Sequence, residues 1–566
     1  MANVPPAAPP DPEPQSPPRL PLLLDPEVKD ATLRAWLQRT PAPTGDEDPT
    51  WIRARMRVSK ERVREVQETM DMIAPRSSYV IQSLYARQAF LYSCLVWSIF
   101  PVNHLPPEIL SEIFRHVAWN TYGWKEGVKQ RLRLTWVCKH WRAVALEDKP
   151  LWNPILFSQP SAFPVSFAMM SRVGRAPLDL RIEDIPPQDG DPSRRPSPDH
   201  NPIFSLLGHI LRKEDQLRSV ALILHDWATT DAIVRKLQTA KSPHALRRFE
   251  LHRLGRPTLL EWRPPDYSPA LLWGGNAINL EALCLDGITI DWDELPTDKL
   301  RALDLRRIAP PLGPSLSRWH ELLSHNLVRL ALTSAGPDLF GAAEQGDAIP
   351  QFDLSRLREL HLQDLNVRYA QLIIARIRAP GLISLVLNNI PGQYYGLFLQ
   401  TLTGRFRELK LLTTFGLNLE ASPENTRLVV RWLDTMPNLR MLKFAHVPSE
   451  FPEALLQDPR RFRSTLRGDA HEEPDPSSPR QILCPALDTI YFHFQDPGSV
   501  FGLLQGRHDL GVRFERVWIP QPLVMMIAPE MLKLMSTLVG NIFVTGSLPK
   551  DEQNYRTEVF HLLPYA

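Results

Sequence analysis

Residues 280–308 read LEALCLDGITIDWDELPTDKLRALDLRRI, and one short pattern occurs in this stretch twice, first from Leu280 and again from Leu300. In each copy an apolar residue stands at the first, fourth, sixth and ninth positions. The fourth and sixth side chains of an extended chain point to the same side, so each copy predicts a short strand with one apolar face. Because the pattern recurs, the stretch predicts a repeated structural unit.

The same pattern continues on both sides of this stretch. Clear copies begin at Leu246, Leu280, Leu300, Leu327, Leu357, Leu382, Phe406 and Leu439, and fainter ones at Leu217, Leu487 and Phe514. Most steps between the clear starts lie near the roughly 20–29 residues of leucine-rich repeats. We interpret the polar segments 186–202 and 458–481 as loops inserted between repeats.

Apolar segments with helical character lie between the predicted strands. They are Thr230–Ala240, Pro314–His325, Arg368–Arg378, Gln393–Thr403 and Pro423–Met436. A strand and a helix in each unit predict parallel strands joined by crossover helices. An ordinary doubly wound α/β domain also alternates strands and helices, and it stays open as an alternative.

The recurring unit resembles the leucine-rich repeat family. The resemblance implies an α/β fold over residues 158–566, an irregular leucine-rich-repeat solenoid with parallel strands on its concave side and helices on its convex side. Most copies carry Ile or Leu where the family consensus has Asn. We therefore expect no continuous asparagine ladder and an irregular curvature.

A second informative stretch, residues 104–152, precedes the repeats. Pro106 and Pro107 can open a helix but cannot lie inside one. The apolar residues that follow fall on one side of that helix: Ile109, Leu110, Ile113, Phe114 and Val117. A further helix carries Val137, Cys138 and Trp141. So short a stretch cannot bury all of this apolar surface against itself, so the surplus predicts a partner.

This stretch resembles an F-box, the small helical bundle that docks on the Skp adaptor of cullin-RING ubiquitin ligases. The resemblance rests on Leu105-Pro106-x-Glu108-Ile109-Leu110-x-x-Ile113-Phe114, on Val137-Cys138-x-x-Trp141-Arg142 and on Leu151-Trp152. It implies an F-box over residues 103–157. The adaptor-binding residues that it implies are Leu105, Pro106, Ile109, Leu110, Ile113, Phe114, Val137, Cys138, Trp141, Leu151 and Trp152. Residues 120–131 are longer and more polar than the usual connection, and a plain helical core without a partner is the alternative.

The residues before the F-box predict two further segments. Residues 1–50 are rich in proline and poor in aromatic residues, which predicts a disordered tail. Residues 51–102 predict a helical segment, interrupted at Pro75. Fungal F-box proteins of this type often have a similar helical segment just upstream.

Composition argues against several classes of function. The net charge is +2 and the pI about 8.3, so nothing indicates binding to nucleic acid or an anionic membrane. The cysteines at 94, 138, 284 and 484 lack the close spacing of a zinc site, and phosphate-binding and nucleophile motifs are missing from the sequence. We therefore expect no catalytic residue, metal or cofactor. Without a visible secretory signal or spanning segment, a cytoplasmic or nuclear location is expected.

Together, the two modules predict the substrate-recognition subunit of an SCF-type ubiquitin ligase. Its partners would be the Skp adaptor, the cullin-RING core reached through it, and a protein target. The target-binding residues predicted on the concave strands are Arg248, Glu250, Asp304, Arg306, Glu359, His361, Lys410, Lys443, Tyr491 and Trp518. A leucine-rich-repeat scaffold, or an adaptor-bound protein that acts without ubiquitin transfer, is the alternative.

Overall fold

The computed structural model describes most of the chain beyond residue 104. The described residues are 105–119, 124–158, 163–184, 202–225, 227–240, 243–253, 269, 271–324, 326–339, 351–393, 395–417, 419, 422–445, 447, 450–463, 480–493 and 496–545. The predicted tail 1–50, the predicted helical segment 51–102 and most of the segments 186–202 and 458–481 lie outside them.

The chain divides into two compact units. Among the described residues, the first unit contains 105–114 and 134–145, and the second contains 115–119, 124–133 and everything from 146 onward.

The helices of the described chain are short. They are α1 Pro107–Trp119, α2 Trp124–Val137, α3 Lys139–Glu147, α4 Pro164–Val173, α5 Pro202–Ile210, α6 Trp227–Gln238, α7 Leu316–Ser324, α8 Val367–Arg376, α9 Tyr395–Leu402, α10 Pro423–Asp434, α11 Glu450–Ala454, α12 Arg460–Arg463, α13 Pro497–Asp509, α14 Gln521–Met526 and α15 Pro529–Leu538. Short 3-10 helices cover Lys149–Trp152, Leu211–Gln216, Leu272–Gly275 and Pro310–Leu312.

The strands of the described residues belong almost entirely to one sheet. They are β1 Pro154–Phe157, β2 Leu178–Glu183, β3 Leu217–Leu224, β4 Arg248–Arg253, β5 Ala282–Asp286, β6 Ala302–Arg306, β7 Arg329–Thr333, β8 Phe352–Asp353, β9 Glu359–Gln363, β10 Ile377–Arg378, β11 Ser384–Asn388, β12 Leu411–Phe415, β13 Met441–Ala445, β14 Thr489–His493, β15 Arg516–Pro520 and β16 Asn541–Thr545. Fourteen of them form the sheet, and β8 and β10 form a separate two-stranded pair.

The large sheet is parallel, and its strands follow one another in chain order. A doubly wound sheet reverses its order at a switch point, and no such reversal occurs among the described strands. Parallel crossovers are right-handed, so a sheet that always advances in one direction carries its helices on one face. We call this the helix face and the opposite one the second face.

The helix face is the hydrophobic core of the second unit. Leu283, Leu303, Leu330 and Leu360 are aligned across four neighbouring strands and are all fully buried. Each corresponds to the fourth residue of the repeated pattern. The pattern thus places one leucine per strand in a continuous apolar row, which explains why it recurs.

The helical segments predicted between the strands are confirmed. All five contain a helix, α6, α7, α8, α9 and α10, with ends within a few residues of the prediction. Local caps explain the accuracy at two of them. The side chain of Asn366 accepts a hydrogen bond from the Arg368 N–H at the start of α8, and Ser422 accepts one from the Asn425 N–H before α10.

The predicted register is wrong for one repeat. The copy starting at Phe406 places Leu409 and Leu411 inside, but β12 begins only at Leu411, whose side chain lies on the second face and is exposed. Leu412 and Thr414 take the core positions, aligned with Leu385 and Leu387. Leu409 and Leu411 alternate as the inward residues of a strand do, but they stand three residues before the true core positions. This explains the error.

The sheet also contains three strands that the prediction omitted. They are β1, β2 and β16, at the two ends of the sheet. Two of them follow a version of the pattern with other apolar residues, Trp152-x-x-Ile155-x-Phe157 and Val539-x-x-Ile542-x-Val544. A template that accepts any apolar residue at its first position finds both. The sheet therefore starts directly after Leu151-Trp152.

Candidate functional site

The first unit carries exposed apolar side chains at two places. On α1, Ile109 is 49% exposed and Ile113 is 37% exposed, one helical turn apart. At the end of α2, Val137 is 50% exposed and its neighbour Trp136 is 72% exposed. We call Ile109, Ile113, Trp136 and Val137 the docking face. Trp136 was not among the predicted site residues; it directly precedes the Val137-Cys138 block of the motif.

The opposite side of α1 holds the helix in place. Leu110 and Phe114 are fully buried, and the Phe114 ring lies 4.8 Å from the ring of Trp141, measured between centroids. The N–H groups of Ile109 and Leu110 both donate to the Pro106 carbonyl, which starts the helix. The sequence placed Leu110 and Phe114 on the adaptor-binding face. Because neither side chain has any exposed surface, both pack beneath that face and support it from within.

Cys138 separates α2 from α3. Its Sγ accepts a hydrogen bond from the Trp141 N–H at 3.4 Å, and its carbonyl accepts one from the Arg142 N–H at 3.0 Å. These bonds satisfy N–H groups that the start of a helix otherwise leaves free. Cys138 and Trp141 are half-buried, as is Leu105, whereas Pro106 is exposed. Cys138 therefore turns the chain between the helices.

Leu151 and Trp152 also differ from the prediction, because both are fully buried, in the second unit. The guanidinium of Arg172 lies 4.6 Å from the centre of a Trp152 ring. The turn before them is fixed by Asp148, whose carbonyl accepts the Leu151 N–H. These residues connect the F-box pattern to the first strand of the sheet and offer no surface to a partner.

The Asp148 side chain is held by an arginine that sequence reasoning missed. Arg115 donates to both carboxylate oxygens of Asp148, from Nε at 3.0 Å and from Nη2 at 2.8 Å. Asp148 is buried, and a paired arrangement of this kind is strong because two parallel charged bonds form. No motif marks either residue, since the two are distant in the sequence.

The predicted target-binding residues lie on the second face of the sheet, with one exception. Lys410 precedes β12 and is not a strand residue. Among the others, Glu250, Asp304, Arg306, His361 and Tyr491 are buried rather than available for binding. Arg248, Glu359 and Trp518 are half-buried, and Lys443 is exposed. Alternation predicted the correct face but not how much of it is covered.

The buried charges of the second face are paired with one another. Arg306 donates to both carboxylate oxygens of Asp304 at 2.9 and 2.8 Å, and Arg248 Nε donates to Glu250 at 2.7 Å. The strong pairing with Asp304 raises the pKa of Arg306 despite its burial. These groups therefore form an internal ion-pair network instead of an open recognition surface.

His252 lies at the centre of this network. Its Nε2 is 3.3 Å from Glu250 and its Nδ1 is 3.6 Å from Asp286, which also accepts a hydrogen bond from Arg307. Burial alone lowers the pKa of His252, but Cys284, Asp286 and Glu250 together raise the pKa well above its ordinary value. The two nearby carboxylates therefore favour the imidazolium form of His252.

Cys284 lies beside His252, as a thiol does beside an imidazole in some hydrolases. Burial and the nearby Asp304 raise the pKa of the Cys284 thiol to about 11, and the side chain has no exposed surface. A neutral, inaccessible thiol cannot serve as a nucleophile. A second imidazole that is buried in the described chain, His361, is neutral because burial, Arg329 and Arg306 lower its pKa to about 3.

Comparison with protein families identifies one region. Residues 102–158 match the family model described as F-box-like. No curated protein matches the chain. Over the described ranges, no helix is long and apolar enough to span a membrane, and no cluster of His, Cys, Asp and Glu side chains is suited to hold a metal ion. The match includes all three blocks of the motif on which the resemblance rests, and the chain therefore carries an F-box-like domain at residues 102–158.

Proposed function

We propose that this protein is the substrate-recognition subunit of an SCF-type cullin-RING ubiquitin ligase. The F-box-like domain docks on the Skp adaptor, and the repeated sheet binds a protein target. The observation that carries the proposal is the F-box-like match together with the exposed side chains of the docking face. F-box domains generally bind adaptors of the Skp type.

The division between exposed and buried residues on α1 supports this use of the docking face. Leu110 and Phe114 fix the helix from inside, while Ile109 and Ile113 remain outside at the cost of leaving apolar surface in water. Exposed apolar side chains spaced one turn apart are typical of a helix that another protein covers. The face is therefore ready to bind without a rearrangement of the helix.

The sheet supports the second half of the proposal. One strand per repeat, sequential parallel order and a recurring leucine row favour a leucine-rich-repeat solenoid. Such arrays bind proteins along an extended surface. In this function the chain needs no chemistry of its own, because it accelerates transfer by holding the target near a ubiquitin-charged enzyme supplied by other subunits.

The first test replaces both exposed isoleucines, Ile109→Asp with Ile113→Asp. Adaptor captured with the chain should fall at least about tenfold, because a carboxylate pressed into an apolar interface without a partner costs a few kcal/mol. The side chains are exposed, so the helical circular dichroism signal and the thermal midpoint should not change. The matched control is Glu112→Gln, an exposed substitution on the same helix, which should retain the adaptor.

Adaptor capture that survives the double substitution contradicts the proposed docking face. Quantitative mass spectrometry of the purified complex separates the alternatives. Adaptor with cullin supports the ligase receptor, and adaptor without cullin indicates a protein that acts outside ubiquitin transfer. A complex with neither indicates a repeat scaffold.

A further inference from the structure

The last strand of the sheet, β16, has one edge without a described neighbour. It pairs with β15 over all five residues from Asn541 to Thr545, and within the described chain no strand lies along its other edge. An edge strand presents a row of N–H and C=O groups that another strand can pair with.

Exposure rises towards this edge on both faces of the sheet. On the second face, Tyr491 is buried, Trp518 is half-buried and Phe543 is 38% exposed, although the three are aligned across β14, β15 and β16. On the helix face, Ile519 is fully buried but its neighbour Val544 is 47% exposed. Within the described chain, no neighbour covers this edge on either face, which indicates a site for an added strand.

The aromatic side chains of the second face are stacked. The ring centroids of Tyr491 and Trp518 lie 6.5 Å apart at an angle of 26°, and those of Trp518 and Phe543 lie 4.6 Å apart at 20°. Neighbouring strands lie about 4.8 Å apart, so one more strand with a ring in register continues the stack over Phe543.

The apolar surface extends beyond the strand. Met525 and Met526 on α14 are largely exposed, and α14 packs against β15 and β16. Leu534 on α15 is also exposed. The strand Asn541–Thr545 contains no charged residue, whereas charged side chains normally protect an edge from pairing.

We propose that β16 pairs in antiparallel orientation with β16 of a second copy of this chain, with the two-fold axis beside Phe543. Residues opposite each other in an antiparallel pair point to the same face. Phe543 then meets Phe543 of the second copy, and the two aromatic stacks become one. On the helix face Ile542 meets Val544, and at the ends of the strand Asn541 meets Thr545.

The strand is complementary to itself, which is why a second copy fits better than an unrelated segment. Its centre is aromatic, the flanking residues are aliphatic and the ends are small and polar. A two-fold pairing places aromatic opposite aromatic, aliphatic opposite aliphatic and polar opposite polar residues. The exposed methionines of α14 add area that a short strand pair lacks on its own. The resulting dimer is an isologous one.

Light scattering of the full chain after size exclusion tests the dimer. The mass should be twice the 64.7 kDa of one chain. Val544→Lys places a charge at the shared edge and should reduce the mass to that of one chain. The matched control is Leu397→Lys, which adds the same charge to an exposed apolar position on α9 and should leave the dimer intact.

Cross-linking tests the register and keeps the aromatic stack. In the double variant Asn541→Cys with Thr545→Cys, each new thiol faces its counterpart in the second copy, so mild oxidation should give a covalent dimer. Asn541→Cys alone faces a threonine and should not cross-link. The unchanged chain, which contains native cysteines, gives the background.

Each contrary result overturns the proposal. A chain that stays monomeric shows that no second copy binds. A dimer that survives Val544→Lys uses another surface, and equal cross-linking of the single and double variants contradicts the two-fold register. If a chain ending at Thr545 dimerises while the full chain does not, residues 546–566 of the same chain occupy the edge.

Discussion

Two buried polar residues of the sheet, His252 and Thr414, have opposite surroundings. His252 is held by Glu250 and Asp286, so its charge is compensated in the interior. The Thr414 hydroxyl is buried on the helix face between Leu387 and Phe444 of the neighbouring strands, and no side-chain or backbone group bonds it in the described chain. A buried polar group stabilises only when it is paired, so these two residues should respond to substitution in opposite ways.

His252→Gln should lower the free energy of unfolding by about 1–3 kcal/mol, because Glu250 and Asp286 lose the cation between them and each keeps only its arginine, Arg248 or Arg307. The folded pKa of His252 is raised, so its protonation adds stability that is fully present below the unfolded value of about 6.5. That contribution declines above this pH and is lost as the pH passes the folded pKa. Urea denaturation across a pH series measures it.

His508→Gln is the control for this series, since His508 is half exposed on α13 and should show little effect at any pH. An equal loss of stability for His252→Gln at acidic and strongly alkaline pH contradicts a charged imidazole.

The sequence could not distinguish the exposed Ile109 from the buried Leu110. Both are apolar neighbours at the start of α1, and only packing decides which of them is buried.

At the scale of single elements, β12 is the strand that fits its own sequence least well. Its neighbours β11 and β13 place Leu387 and Phe444 in the core, where β12 places Thr414. Residues Phe406, Leu409 and Leu411 have a more apolar alternation than β12 itself. They are not in a strand, however, because the chain turns between Phe406 and Leu409, where the Leu409 N–H donates to the Phe406 carbonyl. Pairing with two neighbours therefore decided the register against the local pattern.

Thr414→Val should raise the free energy of unfolding by about 1 kcal/mol, because it replaces an unsatisfied buried hydroxyl with a methyl group of similar shape. Chemical denaturation monitored by circular dichroism measures the change. Thr413→Val is the matched control, since Thr413 lies on the second face of the same strand and should shift stability much less. A loss of stability in Thr414→Val shows that the hydroxyl has a partner.

The elements predicted best were those determined by local signals. Helices α8 and α10 have capping residues and an apolar periodicity, so their positions follow from a few consecutive residues. Most strands were predicted from the leucine pattern. Strands β1 and β16 were missed because Trp152 and Val539 stand at the first position of their patterns, where most other copies have leucine. The burial of Asp304 and His361 could not be predicted, since alternation shows which face a side chain is on but not what covers it.

On the scale of the whole molecule, the second unit is a linear array in which each strand pairs mainly with its two neighbours. Stability in such an array is the sum of local terms and contacts between adjacent repeats, so damage remains local. The aromatic stack at one end and the ion-pair network near β4, β5 and β6 are thus separate in their energetics. Each can be altered without the other.

Leu385→Ala in β11 should cost about 2–5 kcal/mol locally, because it leaves a cavity in the leucine row. Hydrogen exchange should speed up most in β9, β11 and β12 and least in β4 and β15. Leu397→Ala, at an exposed position on α9, should change little. Uniform loss of protection from β1 to β16 contradicts a linear array and indicates a single cooperative core.

Because each repeat adds one strand in chain order, the position of a repeat along the sheet corresponds to a defined distance. Each strand advances about 4.8 Å, so β4 and β15, which are nine steps apart in the sheet, lie roughly 43 Å apart along it. Under the proposed function, the position along the sheet at which a target binds sets which of its lysines come within range of the transferring enzyme. Insertion or removal of a repeat then changes the choice of modified lysine without altering a single contact to the ligand.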